Sequence, residues 1–264
     1  MGWEIVATEV TKSDVMNIRD LWLIGIGTGS SQHVTRAGEA AIRSASVILL
    51  PRKSHATADL FDLRCKLLDD VGYKGTIQTF DYPNRDPSLP YLERVAEWHK
   101  AIAKRWQGAL SGIATAGPVG LLIWGDPSLY DSTIRIANEL TPSPRVRVIP
   151  GITAIQALTS AFSIPLNSIA GSIKVTTGRR LRQEGWPSDI ETVVLMLDGE
   201  TSFMQLTEPN LEIWWGAYLG TPDQILIHGK LPAIGEHIRR RRAEARERKG
   251  WIMDTYILRK SFIS

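Results

Sequence analysis

The sequence predicts an α/β protein of two α/β domains, the first with a mainly parallel sheet and the second with a mixed one. Three observations lead there. From Asp20 to Ile149, short apolar runs of strand length alternate with stretches of helical spacing, the pattern of βαβ units. After Pro150 the texture changes, and further strand candidates follow with helices of uneven length between them. Two early strands run straight into glycine-bearing turns, and in open α/β sheets ligands bind at the carboxyl ends of strands. The boundaries fall at 1–18 for an N-terminal extension without clear period, 19–150 for the first domain and 151–264 for the second. A single continuous sheet is the competing division.

Leu21 to Gly27 is an apolar strand opening into glycines, and the following HVTRAGEAAIRSA has helical composition. Ala45 to Pro51 reads as a second buried strand, stopped by proline. Tyr73 to Phe80 is a third, followed by the proline-rich loop DYPNRDPSLP. Tyr91 to Leu110 carries Val95, Trp98, Ile102 and Trp106 on one helical stripe. The run Val119 to Trp124 is a buried strand ending at Gly125. A helix through Ile134 and Leu140 and a strand at Val146 to Ile149 complete the alternation. Beyond a helix at Thr153 to Phe162, the strand candidates are Lys174 to Thr177, Thr192 to Leu197, Ile213 to Tyr218, Gln224 to Lys230 and Asp254 to Leu258.

Composition bounds the class. With 43% hydrophobic and 22% charged residues, the chain is globular rather than disordered. Its longest apolar run, near Ser46 to Leu50, is far shorter than the roughly 18 residues a membrane helix needs, so no membrane association is expected. Glu4, Lys12 and Asp14 interrupt the amino terminus, which therefore lacks the core of a signal peptide. The single cysteine, Cys65, excludes an internal disulfide and any CxxC metal site. A cytoplasmic protein without a metal is expected. Much of the net charge of +3 sits in HIRRRRAEARERK, His237 to Lys249. Its spacing suits a solvated helix in which Glu244 meets Arg240 and Arg248. A nucleic-acid role for Arg239 to Lys249 is the distant alternative, and no nucleic-acid module signature accompanies the tract.

The glycine cluster GIGTGS fails the dinucleotide fingerprint, because Ser30 stands where the third glycine is required. No acidic residue ends the second strand to hold a ribose, since it leads into Pro51, Arg52 and Lys53. The turn IWGDPSLYDS, Ile123 to Ser132, is the stronger signal. Gly125 permits close approach of a ligand, Pro127 fixes the turn, and Asp126 places a carboxylate at the strand end. Asp126 as a helix cap is the competing reading.

Four motifs carry a family resemblance. GIGTGS at 25–30, GDPSLYDS at 125–132, PGITAIQA at 150–157 and PLN at 165–167 stand in the order seen in the tetrapyrrole methylases, which the chain resembles from about residue 20 to 260. TTGRRL at 176–181, VLMLDG at 194–199, WWGAYLGTP at 214–222 and GWIMDTYILR at 250–259 are similar to one branch of aerobic cobalamin biosynthesis. The resemblance implies a homodimer that binds S-adenosylmethionine in a cleft between the two domains and releases S-adenosylhomocysteine. It implies methylation of a precorrin at C-1 with loss of an acetyl group as acetate; methylation elsewhere on the ring, or of diphthamide type, is the nearer alternative. By motif position, Trp124, Gly125, Asp126 and Leu129 fall on the donor turn, and Thr153 and Ala154 on a second contact. Met196, Leu197, Tyr218, Leu219 and Gly220 fall where adenine is held. Gly27 falls on the tetrapyrrole side, and Thr28 replaces a common proline beside it, as a further donor contact.

The implied reaction sets what side chains must do. Methyl transfer asks for alignment and exclusion of water. Deacetylation asks for a base and oxyanion stabilisation. The polar strand-end loops offer Asp81, Tyr82 and His55 for that work. Arg52, Lys53 and Arg85 suit the carboxylates of a tetrapyrrole. Asp131 either orients substrate or starts the helix that follows it, and the helix role is preferred. His99 and the pair Trp214-Trp215 read as structural.

Overall fold

The computed structural model describes residues 5–6, 20–52, 58–111, 113, 117–208 and 210–260. The chain divides into two compact units, Met1–Ile152 and Thr153–Ser264. Among the described residues no helix is long and apolar enough to cross a membrane.

In the first unit, β1 (Ile5–Val6), β2 (Asp20–Gly25), β3 (Val47–Arg52), β4 (Thr76–Asp81), β5 (Val119–Ile123) and β6 (Arg145–Ile149) form one sheet in the order β1-β4-β3-β5-β2-β6. Every pairing is parallel. The helices are α1 (Arg36–Ser44), α2 (Ala58–Val71), α3 (Tyr91–Leu110) and α4 (Thr133–Ala137). Side-chain alternation divides the core between the sheet's two faces. Leu21, Leu23, Leu49 and Leu121 pack with Ile102 and Trp106 of α3 and Ile136 of α4. Ile24, Ile48, Leu50 and Leu122 pack with Ile42 of α1 and Leu67, Leu68 and Val71 of α2. Both faces being covered explains why these strands read as continuous apolar runs.

Two features depart from expectation. Ile5–Val6, inside the segment read as a bare extension, pairs with Ile77–Gln78 as an edge strand. Pairing there covers backbone groups that β4 would otherwise expose. Helix α2 occupies a stretch to which no element was assigned. Its buried positions are Arg64, Leu67, Leu68 and Val71, an i, i+3, i+4, i+7 stripe in which an arginine takes an apolar place.

In the second unit, β7 (Ile173–Thr177), β8 (Thr192–Met196), β9 (Leu211–Ala217), β10 (Ile225–Lys230) and β11 (Asp254–Lys260) form a sheet in the order β10-β9-β11-β8-β7. Only β7 and β8 are parallel, so this sheet is mixed. Leu181 of α6 (Gly178–Glu184) and Leu231 and Ile238 of α7 (Leu231–Lys249) pack against Val193, Leu195, Ile213, Trp215 and Tyr256. Leu158 of α5 (Ala154–Phe162) meets Gly216 of β9, where a Cβ would come within 2.6 Å of Leu158 Cδ1. Trp215 is core, as expected, and Trp214 is buried and stacks on His228 at 4.7 Å. On α7, Arg239 pairs with Glu236, and Glu244 reaches Arg241 rather than Arg240 or Arg248. Arg242 turns inward, so the arginine tract is not a uniformly solvated face.

Three strand ends of the first unit converge on glycine. A Cβ on Gly151 would lie 2.3 Å from Gly125 O, and one on Gly25 would lie 2.6 Å from Gly151 N. Gly125 N donates to Gly27 O at 2.7 Å, and Gly27 N donates to Gly125 O at 3.3 Å, which closes the two loops on each other. Gly151→Ala should therefore destabilise the protein by about 1–3 kcal/mol, the usual cost of overpacking. Gly199→Ala, where nothing lies within 4 Å of the added methyl, should cost less than about 0.5 kcal/mol. Thermal melting of both variants checks this; equal melting temperatures would contradict the close junction.

Candidate functional site

The carboxyl edge of the first sheet gathers most of the candidate residues of that unit. Asp126 follows β5 and is buried. Its Oδ1 accepts from Ser128 N at 2.8 Å and Ser128 Oγ at 2.5 Å, and its Oδ2 accepts from Gly151 N at 2.9 Å. The carboxylate thus ties the turn after β5 to the turn after β6. Burial pushes its pKa up, but the hydrogen bonds from Ser128 and Gly151 outweigh that and hold it below the ordinary value. Leu129 N donates to Asp126 O at 3.2 Å and completes the turn. Asp126 therefore organises a turn and caps no helix, since α4 begins only at Thr133.

The first glycine loop is held from within. Thr28 Oγ1 and His33 Nδ1 lie 3.0 Å apart, and burial lowers the pKa of His33. A Cβ at Gly27, whose φ is +74°, would lie 2.3 Å from His33 Cβ. Asp131 Oδ1 accepts from Thr133 N at 2.7 Å and also from Thr133 Oγ1, which starts α4 as preferred from sequence. The conventional cap position, Ser132, supplies no side-chain hydrogen bond.

The polar loops are differently disposed. Arg52 Nε and Nη2 donate to the two carboxylate oxygens of Asp81 at 3.2 and 3.3 Å, so the expected substrate cation and the expected base engage each other. Tyr82 stacks on Trp98 at 5.9 Å and meets Phe80 edge-on at 5.1 Å. Arg85 lies over the other part of this ladder, 4.0 Å from the Trp98 ring centroid. Trp98 Nε1 donates to Pro83 O at 2.8 Å, which pins the loop to α3. Burial raises the Tyr82 phenol's pKa, with Arg64 pulling it down by less. At neutral pH Tyr82 is therefore a hydrogen-bond donor and not a base. His99 is buried beside Trp98, and burial, with the nearby Arg135 and Arg85, lowers its pKa. Lys53 and His55 lie outside the described residues.

A residue that sequence reasoning missed completes this edge. The Arg64 guanidinium lies 4.9 Å from the centroid of the Trp124 ring, the last side chain before the Gly125 turn. The signal was present: a cation inside the i, i+3, i+4, i+7 stripe of a helix that was itself unassigned.

In the second unit, α5 begins with a capping box between Thr153 and Gln156, so the Thr153 side chain is engaged and Ala154 is the first helical residue. Arg259 Nη2 donates to Pro165 O at 2.7 Å and Leu166 O at 3.0 Å, which fixes the PLN segment to β11. The VLMLDG strand end is held by Asp198, which is buried. Asp198 accepts from Ser202 N at 2.6 Å, Ser202 Oγ at 2.7 Å, Tyr256 Oη at 2.7 Å and Glu200 N at 3.2 Å. Arg242 braces the same loop, donating to Asp198 O at 2.8 Å while its Nε donates to Asp254 at 2.9 Å. Leu197, between Met196 and Asp198, has φ +54° and is two-thirds exposed. Tyr218 points its ring into the core, donating through Oη to Trp251 O at 2.7 Å, so only its backbone faces the turn that runs through Leu219. Gly220 N donates to Gln224 Oε1 at 2.9 Å. Among the described residues no group of three or more His, Cys, Asp or Glu could hold a metal.

The sequence matches the Tetrapyrrole (Corrin/Porphyrin) Methylases over residues 20–235. The chain belongs to this family. It is 39% identical over 251 residues to the precorrin-6A synthase (deacetylating) of a Sinorhizobium species, covering 92% of this chain and 96% of that one. It superposes on a cobalamin synthesis related protein (CobF) from Corynebacterium diphtheriae with a TM-score of 0.75 at 36% identity, over 92% of this chain and 99% of that one. A uroporphyrin-III C-methyl transferase from Thermus thermophilus, solved in complex with S-adenyl homocysteine, shares the fold at a TM-score of 0.54 and 17% identity, over 90% of this chain and 91% of that one.

In this tetrapyrrole methylase, Asp198 is the most heavily hydrogen-bonded carboxylate among the described residues. Burial raises its pKa, but the hydrogen bonds from Tyr256, Ser202 and Glu200 prevail and hold it below its ordinary 3.8. A depressed carboxylate stabilises the fold above its unfolded-state pKa, and that contribution is lost as pH falls through the folded value. Asp198→Asn should therefore cost about 1.5–3 kcal/mol near pH 7. The difference from wild type should shrink as pH drops below 3.8. Urea unfolding at several pH values measures it, and a pH-independent difference would contradict the assignment.

Proposed function

We propose that this tetrapyrrole methylase transfers a methyl group from S-adenosylmethionine to C-1 of precorrin-5, with loss of the acetyl group as acetate, to give precorrin-6A. The single observation that carries the reading is the 39% identity to a deacetylating precorrin-6A synthase over nearly the whole of both chains. S-adenosylhomocysteine is the second product, and the reading includes a homodimer in the cytoplasm.

The donor contacts proposed for the first unit are Thr28, Trp124, Gly125, Asp126 and Leu129. A glycine junction that leaves no room for a Cβ supports them, because it offers a ligand main-chain groups rather than side chains. In the second unit the proposed contacts are Thr153 and Ala154, the strand end at Met196 and Leu197, and the turn Tyr218 to Gly220. When bound, S-adenosylmethionine supplies a methyl on a sulfonium that is already electrophilic. The chain's own residues align the partners and keep water away from that methyl.

For the deacetylation half, Tyr82 donates a hydrogen bond to an oxygen where negative charge develops, since burial keeps its phenol protonated. Arg52 and Asp81, neutralising each other, hold the shape of the strand-end loop, and Arg85 is positioned by Trp98. On the arginine tract, Arg239, Arg241 and Arg242 are paired with carboxylates, which leaves the nucleic-acid alternative with fewer cations than its sequence suggested.

Incubating the protein with precorrin-5 and methyl-labelled S-adenosylmethionine tests the proposal. Labelled precorrin-6A and acetate should form in equal amounts. Labelled tetrapyrrole without acetate would assign the chain to another ring position, and no label transfer would end the methyltransferase reading.

A further inference from the structure

Two arginines of this chain are buried to the same degree, each 8% exposed, and they are treated in opposite ways. Arg242 donates to both oxygens of Asp254 and to the carbonyls of Asp198 and Gly199. Arg64 donates through Nη1 to Leu60 O at 3.1 Å, and its Nε has no acceptor among the described residues. No carboxylate among them lies within ion-pair distance of it. Beside it stands a second buried donor without an acceptor, Trp124 Nε1, on the ring that Arg64 overlies at 4.9 Å. Buried donors are nearly always satisfied in native proteins, and a buried cation without a counter-ion is strongly unfavourable. Two such donors in contact, at the end of β5 and next to the Gly125 turn, ask for one acceptor that carries negative charge.

We propose that Arg64 and Trp124 form a carboxylate receptor at the carboxyl edge of the first sheet, and that its occupant is a carboxylate of the tetrapyrrole reaction. Two sources share that chemistry: a carboxylate arm on the macrocycle, and the acetate that deacetylation releases. The inference rests on the methyltransferase reading above. Burial lowers the Arg64 pKa only to about 10, with Tyr82 and Asp131 opposing the shift, so the guanidinium is charged at neutral pH. Its planar fork matches a carboxylate better than an ammonium would, which predicts that lysine is a poor substitute. Trp124 gives the receptor a rigid wall and a single indole donor.

The experiment compares wild type with Arg64→Met and Arg64→Lys in four readouts: thermal melting, S-adenosylhomocysteine binding by calorimetry, binding of uroporphyrin III by absorbance, and steady-state turnover of precorrin-5 with acetate as inhibitor. Uroporphyrin III is the probe because it carries carboxylate arms and needs no turnover. For Arg64→Met the melting temperature should stay level or rise, since an uncompensated buried cation has been removed. Its S-adenosylhomocysteine affinity should stay within twofold. If a macrocycle arm is the occupant, uroporphyrin III binding weakens and the KM for precorrin-5 rises by about tenfold or more, and Arg64→Lys restores only part of the loss. If released acetate is the occupant, tetrapyrrole binding is unchanged and inhibition by acetate disappears. Unchanged tetrapyrrole binding together with unchanged acetate inhibition overturns the receptor. So does a large fall in melting temperature with loss of donor binding, which would make Arg64 structural. Failure of the wild type to bind S-adenosylhomocysteine or turn over precorrin-5 strikes the function reading and with it acetate as the occupant; weaker uroporphyrin III binding by Arg64→Met would then still support the receptor, and unchanged binding would overturn it.

Discussion

The first unit depends on three backbones meeting where no side chain can intervene. Gly25, Gly125 and Gly151 end or follow β2, β5 and β6, and a Cβ on Gly25 or on Gly151 would come within 2.8 or 2.3 Å of the Gly125 carbonyl oxygen. The parallel sheet delivers these strand ends to one edge, but only glycine lets them touch. Once they do, the Gly27–Gly125 hydrogen bonds and the Asp126 carboxylate lock the turns together. The loops after these strands thereby become extensions of the sheet rather than free connections.

The second unit reaches a similar end by other means. There a buried carboxylate, Asp198, gathers donors from Ser202, Glu200 and Tyr256, and Arg242 supports the loop from beneath through its carbonyls. Gly178 makes this possible, because a Cβ there would lie 2.1 Å from Asp198 Oδ1. In both units a buried carboxylate at a strand end is a brace for main chain. That economy suits methyl transfer, in which geometry matters more than acid or base strength. The roles proposed for Arg64, Trp124 and Tyr82 are the exceptions, and all three residues lie in the first unit.

Much of this was legible in the sequence. Strands covered on both faces appear as unbroken apolar runs, so β2, β3 and β5 could be located to within a residue or two, and the five strands of the second unit likewise. The GDP turn announced itself through glycine and proline at a strand end. What stayed hidden had physical causes. Helix α2 escaped because Arg64 interrupts its apolar stripe, and Ile5–Val6 because a two-residue strand has no period. Arg242 could not be told from its neighbours in a run of arginines, since only the fold decides which one faces Asp254. The Arg52–Asp81 pair joins residues 29 apart in sequence, brought side by side by the register of β3 on β4. Composition and spacing do not report such a contact.

The proposed donor site places ligand binding in the first unit on the glycine-linked main chain after β2, β5 and β6. Hydrogen–deuterium exchange with and without S-adenosylhomocysteine tests it most directly. Saturating ligand should slow exchange in peptides covering Gly25 to Thr28, Gly125 to Leu129 and Gly151, with little change in α1 and α3. Protection confined to other segments, with these three unchanged, would contradict the account.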